Sequence, residues 1–137
     1  MTIQVAIADV DALVVKDSAL DAHARHNTTS VYTSGQIFPM LPEKLSTDLT
    51  SLGEGQDRLA VVVEFVVAAT GEVTDASHYR ALIRNHAKLA YNSLAAWLSD
   101  TAPAPAGVGA VPGLDSQLRL QEQVVKSLKA RRHQQGA

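Results

Sequence analysis

Two prolines, Pro39 and Pro42, restrict the backbone of this chain more than any other feature of its sequence. A proline holds its own φ near one value and pushes the residue before it into an extended conformation. The segment 39–42 is therefore predicted to be a stiff elbow that supports whatever precedes it. Pro42 also suits the first position of a helix, with Glu43 in its first turn. Four leucines are spaced to bury one side of that short helix: Leu41, Leu45, Leu49 and Leu52.

Three segments have the composition of β-strands. The strongest is the apolar run 59–67, in which Glu64 is the only charge. A turn at 69–72 separates it from a second strand, 73–83, which predicts a β-hairpin with Gly71 at positive φ. A further strand is expected at 3–13, extended by Val14 and Val15.

Helices are predicted on both sides of this hairpin. Ser18 is a suitable cap for a helix at 20–26. A second helix opens at Asn85 or His86 and runs through Leu98, with an apolar stripe formed by Leu89, Leu94, Trp97 and Leu98. A third covers 114–132, ends in basic residues, and is followed by a polar stop at Gly136 and Ala137. Its inward residues are predicted to be Leu118, Val124, Val125 and Leu128.

This order of elements predicts an α+β fold, with a mixed or antiparallel sheet, a central hairpin and flanking helices. Three parts are expected: a main segment at 1–100, an Ala/Pro/Gly-rich loop or linker at 101–113, and a C-terminal basic helix at 114–137 of the same domain. At 137 residues the chain is one domain or part of one.

Composition excludes several classes of protein. There is no cysteine, so neither a disulfide framework nor a thiolate metal site can form. The net charge of −2 argues against electrostatic binding of nucleic acid by the whole surface, so any such contact must be local. No stretch is apolar enough to span a membrane and no basic leader is visible, so a soluble, cytoplasmic protein is expected.

Short motifs in a fixed order carry a family resemblance. The first two are Ile-Ala-Asp-Val at 7–10 and Leu-Asp-Ala-His-Ala-Arg at 20–25. Thr-Ser-Val-Tyr follows at 29–32, and Pro-Met-Leu-Pro-Glu-Lys-Leu-Ser at 39–46. Tyr-Arg-Ala-Leu-Ile-Arg at 79–84 and Ala-Lys-Leu-Ala-Tyr at 87–91 complete the series. Together they resemble part of the catalytic domain, the RNB domain, of the ribonuclease II / ribonuclease R family.

The resemblance implies a 3′→5′ exoribonuclease that hydrolyses single-stranded RNA with Mg²⁺ ions. In the family, the metal-binding carboxylates come from an acidic cluster upstream of the Ile-Ala-Asp-Val strand, and further catalytic residues come from downstream motifs. Neither is present in this chain, so no complete metal site is expected and the isolated chain is expected to be inactive; whether it is an enzyme stays open. The alternatives are a non-catalytic module that binds RNA or complements a partner chain, and a structural remnant of a split gene.

Tyr32 is the first candidate for RNA binding. The resemblance implies that this ring lies in the catalytic cavity and stacks against or positions the terminal nucleotides. Without it, a core or turn tyrosine would be the simpler interpretation. Three cations, Arg80, Arg84 and Lys88, could line a channel and contact phosphates. A solvated face explains these cations equally well.

Two pairs of residues are considered as metal ligands. Asp9 and Asp11 would share one face of a strand, and paired carboxylates suit Mg²⁺. Asp9 matches the aspartate of the Ile-Ala-Asp motif, however, and is predicted to be mainly structural. His23 and His26 lie three apart without a third ligand nearby, so a metal site there is not expected.

Overall fold

The computed structural model describes residues 1–134 and 136. Within them lie five strands: β1 (Thr2–Ala8), β2 (Val31–Tyr32), β3 (Ile37–Phe38), β4 (Asp57–Val67) and β5 (Val73–Arg84). Four α-helices accompany the strands: α1 (Ala19–Asn27), α2 (Tyr91–Leu98), α3 (Ala106–Ala110) and α4 (Leu114–Gln134). A 3₁₀ turn covers Val10–Ala12 and a π turn covers Leu45–Leu49. The predicted α+β fold is confirmed.

The larger sheet has three strands in the order β1-β4-β5. Met1 and Val67 exchange both of their backbone hydrogen bonds, at 2.7 and 2.8 Å, which is the pattern of an antiparallel pair. The central strand β4 is the predicted apolar run, and its Ala60, Val62 and Val67 are buried. The strand predicted at 59–67 is therefore confirmed, and it is the central strand of the sheet.

The hairpin between β4 and β5 turns at Gly71, as predicted. Gly71 has a φ of +79°, and its N–H donates to the carbonyl of Ala68 at 3.0 Å. A Cβ at this position would lie 2.7 Å from the carbonyl oxygen of Ser127 in α4. Glycine is thus required here both by the backbone conformation and by the close approach of the helix.

The first strand is shorter than expected. β1 ends at Ala8, whereas the sequence predicts a strand to residue 13. Asp9 ends it, because the Asp9 carboxylate accepts a hydrogen bond from the Ala12 N–H at 3.3 Å and closes a 3₁₀ turn. Such local bonds from an aspartate compete with a sheet ladder. The turn directs Val14 into a small core with Leu41 and Leu45.

The proline elbow leads into a helical turn, with Pro42 just before it rather than inside it. The N–H groups of Leu45 and Ser46 both donate to the Pro42 carbonyl, at 2.9 and 3.0 Å. Leu41 and Leu45 are buried as predicted, but Leu49 is exposed. The turn is a residue wider than an α-turn, because Thr50 donates through both its N–H and its hydroxyl to the Leu45 carbonyl. The wider turn moves Leu49 off the buried side.

Helix α1 agrees with the sequence to within one residue at each end. The Ser18 hydroxyl accepts a hydrogen bond from the Asp21 N–H at 3.2 Å, so Ser18 is the predicted cap. The helix ends at Asn27, and Thr28 takes a φ of +62°. This sharp end turns the chain toward β2.

Helix α2 begins later than expected, at Tyr91 rather than at 85 or 86. The Asn85 side chain accepts a hydrogen bond from the Ala87 N–H at 3.0 Å, a local bond that favours a turn over a helix. The predicted apolar stripe still forms a core. Trp97 is buried there, and Leu89, Leu94 and Leu98 pack around it.

The segment 101–113 contains a helix that the sequence does not indicate. In α3 Val108 is buried against Trp97 and Leu118, so part of this Ala/Pro/Gly-rich stretch belongs to the core. The small side chains of this segment give little hydrophobic periodicity from which a helix could be predicted.

Helix α4 confirms the last predicted helix, which it extends by two residues to Gln134. Leu118 and Val124 are buried, but Val125 is 59% exposed, so its predicted burial is wrong. Val125 lines an open groove instead of a filled core. The predicted stop at 136–137 includes Ala137, which lies outside the described residues.

Contacts divide the chain into two compact units. Unit 1 comprises Met1–Val5, Val63–His78 and Asn85–Ala137, and it contains the Trp97 core. Unit 2 comprises Ala6–Val62 and Tyr79–Arg84, and it contains the Val14 core. In the described part of the chain, no helix combines the length and the apolar character that crossing a bilayer requires.

Candidate nucleic-acid interface

The two short strands β2 and β3 form a hairpin that carries Tyr32. They pair antiparallel, with Val31 opposite Phe38 and Tyr32 opposite Ile37. Because neighbouring side chains in a strand point to opposite faces, Tyr32 and Ile37 share one face, and Val31 and Phe38 the other. The Tyr32 residue is 75% exposed. Its ring is therefore accessible to a flat ligand.

The tip of this hairpin is closed by one side chain. The Thr33 N–H donates to the Gln36 carbonyl at 3.0 Å, and the Thr33 hydroxyl donates to the same oxygen at 2.6 Å. The Gln36 N–H donates back to the Thr33 hydroxyl at 3.0 Å. Three hydrogen bonds thus span a four-residue turn directly beside Tyr32.

The base of the hairpin is held through the backbone of Met40. The Met40 N–H donates to the Ser30 hydroxyl at 2.9 Å, and the Asn27 side-chain amide donates to the Met40 carbonyl at 3.3 Å. The next residue, Leu41, is buried in the Val14 core. The elbow therefore joins the hairpin to the packed part of unit 2.

An open concavity of about 430 Å³ lies on the face of Val31 and Phe38. Pro39 and Pro42 contribute further apolar surface, and His23 and Asn27 contribute polar groups. The hairpin thus presents a single exposed ring on one face and a shallow apolar concavity on the other.

Arg80, a predicted RNA contact on β5, forms ion pairs with two carboxylates. Its Nε lies 2.8 Å from Oδ2 of Asp9, whose side chain is only 2% exposed, and a second guanidinium nitrogen contacts Asp11. This short contact places the positive charge of Arg80 beside the buried carboxylate of Asp9. The hydrogen bond to Asp11 and the charge of Asp9 raise the pKa of Arg80.

This cluster corrects the expected geometry of Asp9 and Asp11. They lie beyond the end of β1 and not on one strand face. Asp9 caps the 3₁₀ turn, which is a structural role. The two carboxylates surround a guanidinium, so a positive charge already lies where the pair would bind a cation.

Arg84, at the end of β5, is held by Asp57 at the start of β4. Nε and one terminal nitrogen of Arg84 lie 2.7 Å from the two oxygens of Asp57, a bidentate pair. The hydrogen bond from Arg84, reinforced by its charge, lowers the pKa of Asp57. The same contact raises the pKa of Arg84.

Lys88 is exposed and lies in the extended segment before α2, in unit 1. Arg84 lies at the end of the hairpin, but the helix predicted to open at Asn85 or His86 does not include Lys88, because α2 begins at Tyr91. RNA binding by Arg80, Arg84 and Lys88 stays a prediction. Phosphate would have to compete with carboxylates for both arginines.

The described residues do not fit the Mg²⁺ that the resemblance implies. No group of three histidine, aspartate or glutamate side chains in residues 1–134 and 136 is arranged to hold a metal ion. His23 contacts the side chain of Asn27 at 3.0 Å. Asp9 and Asp11 are engaged by Arg80. No catalytic step through a metal is therefore assigned to these residues.

Three residues that organise the hairpin are not evident from the sequence: Asn27, Ser30 and Thr33. Their side-chain bonds to nearby backbone are typical of residues in turns, and only this composition could have indicated them. Their partners lie at Met40 and Gln36, across the hairpin. Such pairings follow from the register of β2 and β3.

The chain is similar in sequence to known ribonucleases. Ribonuclease R of Vibrio parahaemolyticus is 45% identical over 94 residues, which are 69% of this chain and 11% of that protein. Exoribonuclease 2 of Cronobacter sakazakii is 36% identical over 131 residues, which are 95% of this chain and 20% of that protein. The chain thus spans between about a tenth and a fifth of the length of these relatives.

A solved structure shows the same fold. The RNase R of Mycoplasma genitalium, in complex with ribose methylated single-stranded RNA, is similar with a TM-score of 0.88 and 29% sequence identity. The similarity covers 97% of this chain and 20% of that one. The family model described as the RNB domain matches residues 1–137. The resemblance seen in the motifs is confirmed, and the chain belongs to the RNB domain family.

Proposed function

We propose that this chain is the RNA-binding part of a ribonuclease II/R-type 3′→5′ exoribonuclease, and that Tyr32 stacks on a terminal base of single-stranded RNA. The observation that carries the proposal is the exposed Tyr32 ring on a hairpin tied at its tip and its base. A similar protein has been solved with single-stranded RNA, which supports this class of ligand.

The physical basis is a stacking platform that does not depend on base sequence. Stacking of one base on an aromatic side chain contributes about 1–3 kcal/mol, because every base has a π-face. A platform that is already ordered loses less conformational entropy on binding. The net charge of −2 provides no general attraction to phosphate, so the ring must carry a large share of the affinity.

We further propose that the isolated chain does not cleave RNA. Mg²⁺-dependent phosphodiester hydrolysis needs several carboxylates that converge on the metal ions. In the described residues the close pair Asp9 and Asp11 is engaged by Arg80, whose charge balances one of the two carboxylates. Removal of nucleotides from the 3′ end of RNA would therefore require carboxylates from other residues of an RNB protein. We place this activity in the cytoplasm, with Mg²⁺ as its cofactor.

Binding of a short single-stranded RNA with 2-aminopurine at its 3′ end tests this function. Stacking on an aromatic ring quenches 2-aminopurine fluorescence. Tyr32→Ala should weaken binding about 5- to 100-fold and remove the quench, whereas Tyr32→Phe retains both. Tyr91, which is 91% exposed on α2, provides the control variant Tyr91→Ala. Equal affinities of Tyr32→Ala and Tyr91→Ala would show that Tyr32 has no stacking role.

The same RNA, incubated with Mg²⁺ and analysed on a sequencing gel, tests the absence of cleavage. The length of the RNA should not change. Progressive shortening from the 3′ end by the purified chain would overturn the inactivity proposed for it.

A second candidate is a module that complements a partner chain. An open groove of about 500 Å³ in unit 1 is lined largely by apolar side chains, including Ile3, Val5, Phe65, Leu120 and Val125. Exposed apolar surface of this kind is typical of interaction sites. Co-purification with a polypeptide that carries an acidic RNB motif would favour this candidate. A stable monomer that captures none would count against it, and aggregation would point to a structural remnant of a split gene.

A further inference from the structure

The backbone ladder of the hairpin that carries Tyr32 is short and ends at Val31 and Phe38. Val31 pairs with Phe38 and Tyr32 with Ile37, so the same register places Ser30 opposite Pro39. Because the Thr33 N–H donates to the Gln36 carbonyl, the alternation of an antiparallel ladder makes Ser30 and Pro39 a pair that exchanges no backbone hydrogen bonds. The next N–H along the chain, that of Met40, donates to the Ser30 hydroxyl at 2.9 Å. The same register would place Met40 opposite Thr29, but its N–H bonds to the Ser30 side chain, which ties the base of the hairpin beyond the ladder.

The other side of Met40 is tied to helix α1. The Asn27 side chain, at the last residue of that helix, donates to the Met40 carbonyl at 3.3 Å. Leu41 follows Met40 directly and is buried with Val14 and Leu45. Met40 is therefore a fixed point, and Ser30 connects this point to the start of β2.

The hairpin needs such a connection because its ladder is very short. β2 and β3 contribute two residues each, and an isolated two-stranded hairpin is marginally stable in water. All four side chains of the ladder are exposed, so packing contributes little to hold them. The hydrogen bonds at the tip and at the base remain to orient the strands.

We propose that Ser30 is a positioning residue for RNA binding: through Met40 it sets the orientation of the Tyr32 ring. The inference rests on the proposed function of Tyr32. Ser30 makes no contact with RNA in this scheme. Without its hydroxyl the base of the hairpin pivots, and the ring loses the fixed presentation on which stacking depends.

Three variants at or near this position test the inference. Ser30→Ala removes the acceptor, Ser30→Thr keeps a hydroxyl, and Ser34→Ala alters an exposed serine at the hairpin tip as a matched control. With the 2-aminopurine RNA, Ser30→Ala should weaken binding about three- to tenfold, the range expected for one net hydrogen bond. It should also reduce the quench at saturating RNA, while Ser30→Thr and Ser34→Ala behave like the wild type.

Two further readouts separate positioning from a loss of stability. Amide hydrogen exchange at Met40 should accelerate in Ser30→Ala, while the circular dichroism spectrum is unchanged. In a Tyr32→Ala background, Ser30→Ala should cause no further loss of affinity, because its effect acts only through the ring.

The outcomes distinguish the two proposals. Wild-type binding that depends on Tyr32 but not on Ser30, or additive losses in the double variant, would overturn the positioning role alone. Failure of the wild-type chain to bind the RNA, or an unchanged affinity of Tyr32→Ala, would overturn the proposed function and this inference with it.

Discussion

Replacing Gly71 by alanine should destabilise the protein through two separate effects. The residue has a φ of +79°, where an L-residue with a Cβ is strained by about 1–2 kcal/mol. The new Cβ would also lie 2.7 Å from the carbonyl oxygen of Ser127. That oxygen belongs to the backbone of α4 and cannot rotate away, so overpacking adds about 1–3 kcal/mol.

The net loss of unfolding free energy is smaller than the sum of these terms. Alanine also restricts the unfolded chain, which stabilises by about 0.4–1 kcal/mol. The expected loss for Gly71→Ala is therefore about 1–4.5 kcal/mol. Gly55 provides a matched control, since it has a φ of +73° and a Cβ added there would meet nothing within 4 Å. Gly55→Ala carries the backbone strain alone and should lose at most about 1.5 kcal/mol.

Urea unfolding followed by circular dichroism measures the difference. With a slope of about 2 kcal/mol per molar urea, the midpoint of Gly71→Ala should lie about 1 M below that of Gly55→Ala. Equal midpoints for the two variants would refute the reasoning, because the contact with α4 would then contribute nothing.

Two other perturbations have outcomes that follow from the structure. The Arg84 hydrogen bond lowers the pKa of Asp57 below its usual 3.8, so this pair stabilises the fold above that pH and loses its effect as the pH falls through the folded-state value. The stability difference between wild type and Asp57→Asn in urea unfolding should thus be constant at neutral pH and vanish in strong acid; a gap that persists there contradicts the assignment. Trp97→Ala removes a buried ring from the core of unit 1 and should lower the unfolding free energy by about 3–5 kcal/mol. Arg119→Ala removes a cation 4.7 Å from the centre of that ring together with its exposed ion pair to Asp100, and should cost about 1 kcal/mol or less. Similar thermal melts for the two variants would argue against a core role for Trp97.

Local signals predicted the elements that depend on neighbouring residues. Ser18 caps α1, and Gly71 takes the positive φ that its turn requires. The chemistry of a cap or a tight turn is decided within four or five residues, so the sequence contains all the information needed.

The ends of several elements could not be predicted, because side chains compete with the backbone pattern. Asp9 ends β1 by bonding to the Ala12 N–H, and Asn85 delays α2 by bonding to the Ala87 N–H. Both residues lie in stretches whose apolar pattern would allow the element to continue. Whether the strand or helix continues depends on small free-energy differences between alternative hydrogen bonds.

The candidate site likewise has parts that the sequence predicts and parts that only the structure shows. The sequence alone indicates the motif around Tyr32, the proline elbow that supports it, and the family to which the chain belongs. The exposure of the ring and the bond from Met40 to Ser30 depend on the register of two strands.

The sequence by itself determined the family, the α+β class and the hairpin at Gly71, because motif order, hydrophobic period and turn chemistry are properties of short segments. The tertiary structure alone decided that Arg80 meets Asp9 and Asp11, since 69 residues separate Arg80 from Asp11 along the chain. Whether a charged side chain pairs within the protein or is available to a ligand depends on which distant segments the fold brings together. No local sequence pattern predicts that proximity.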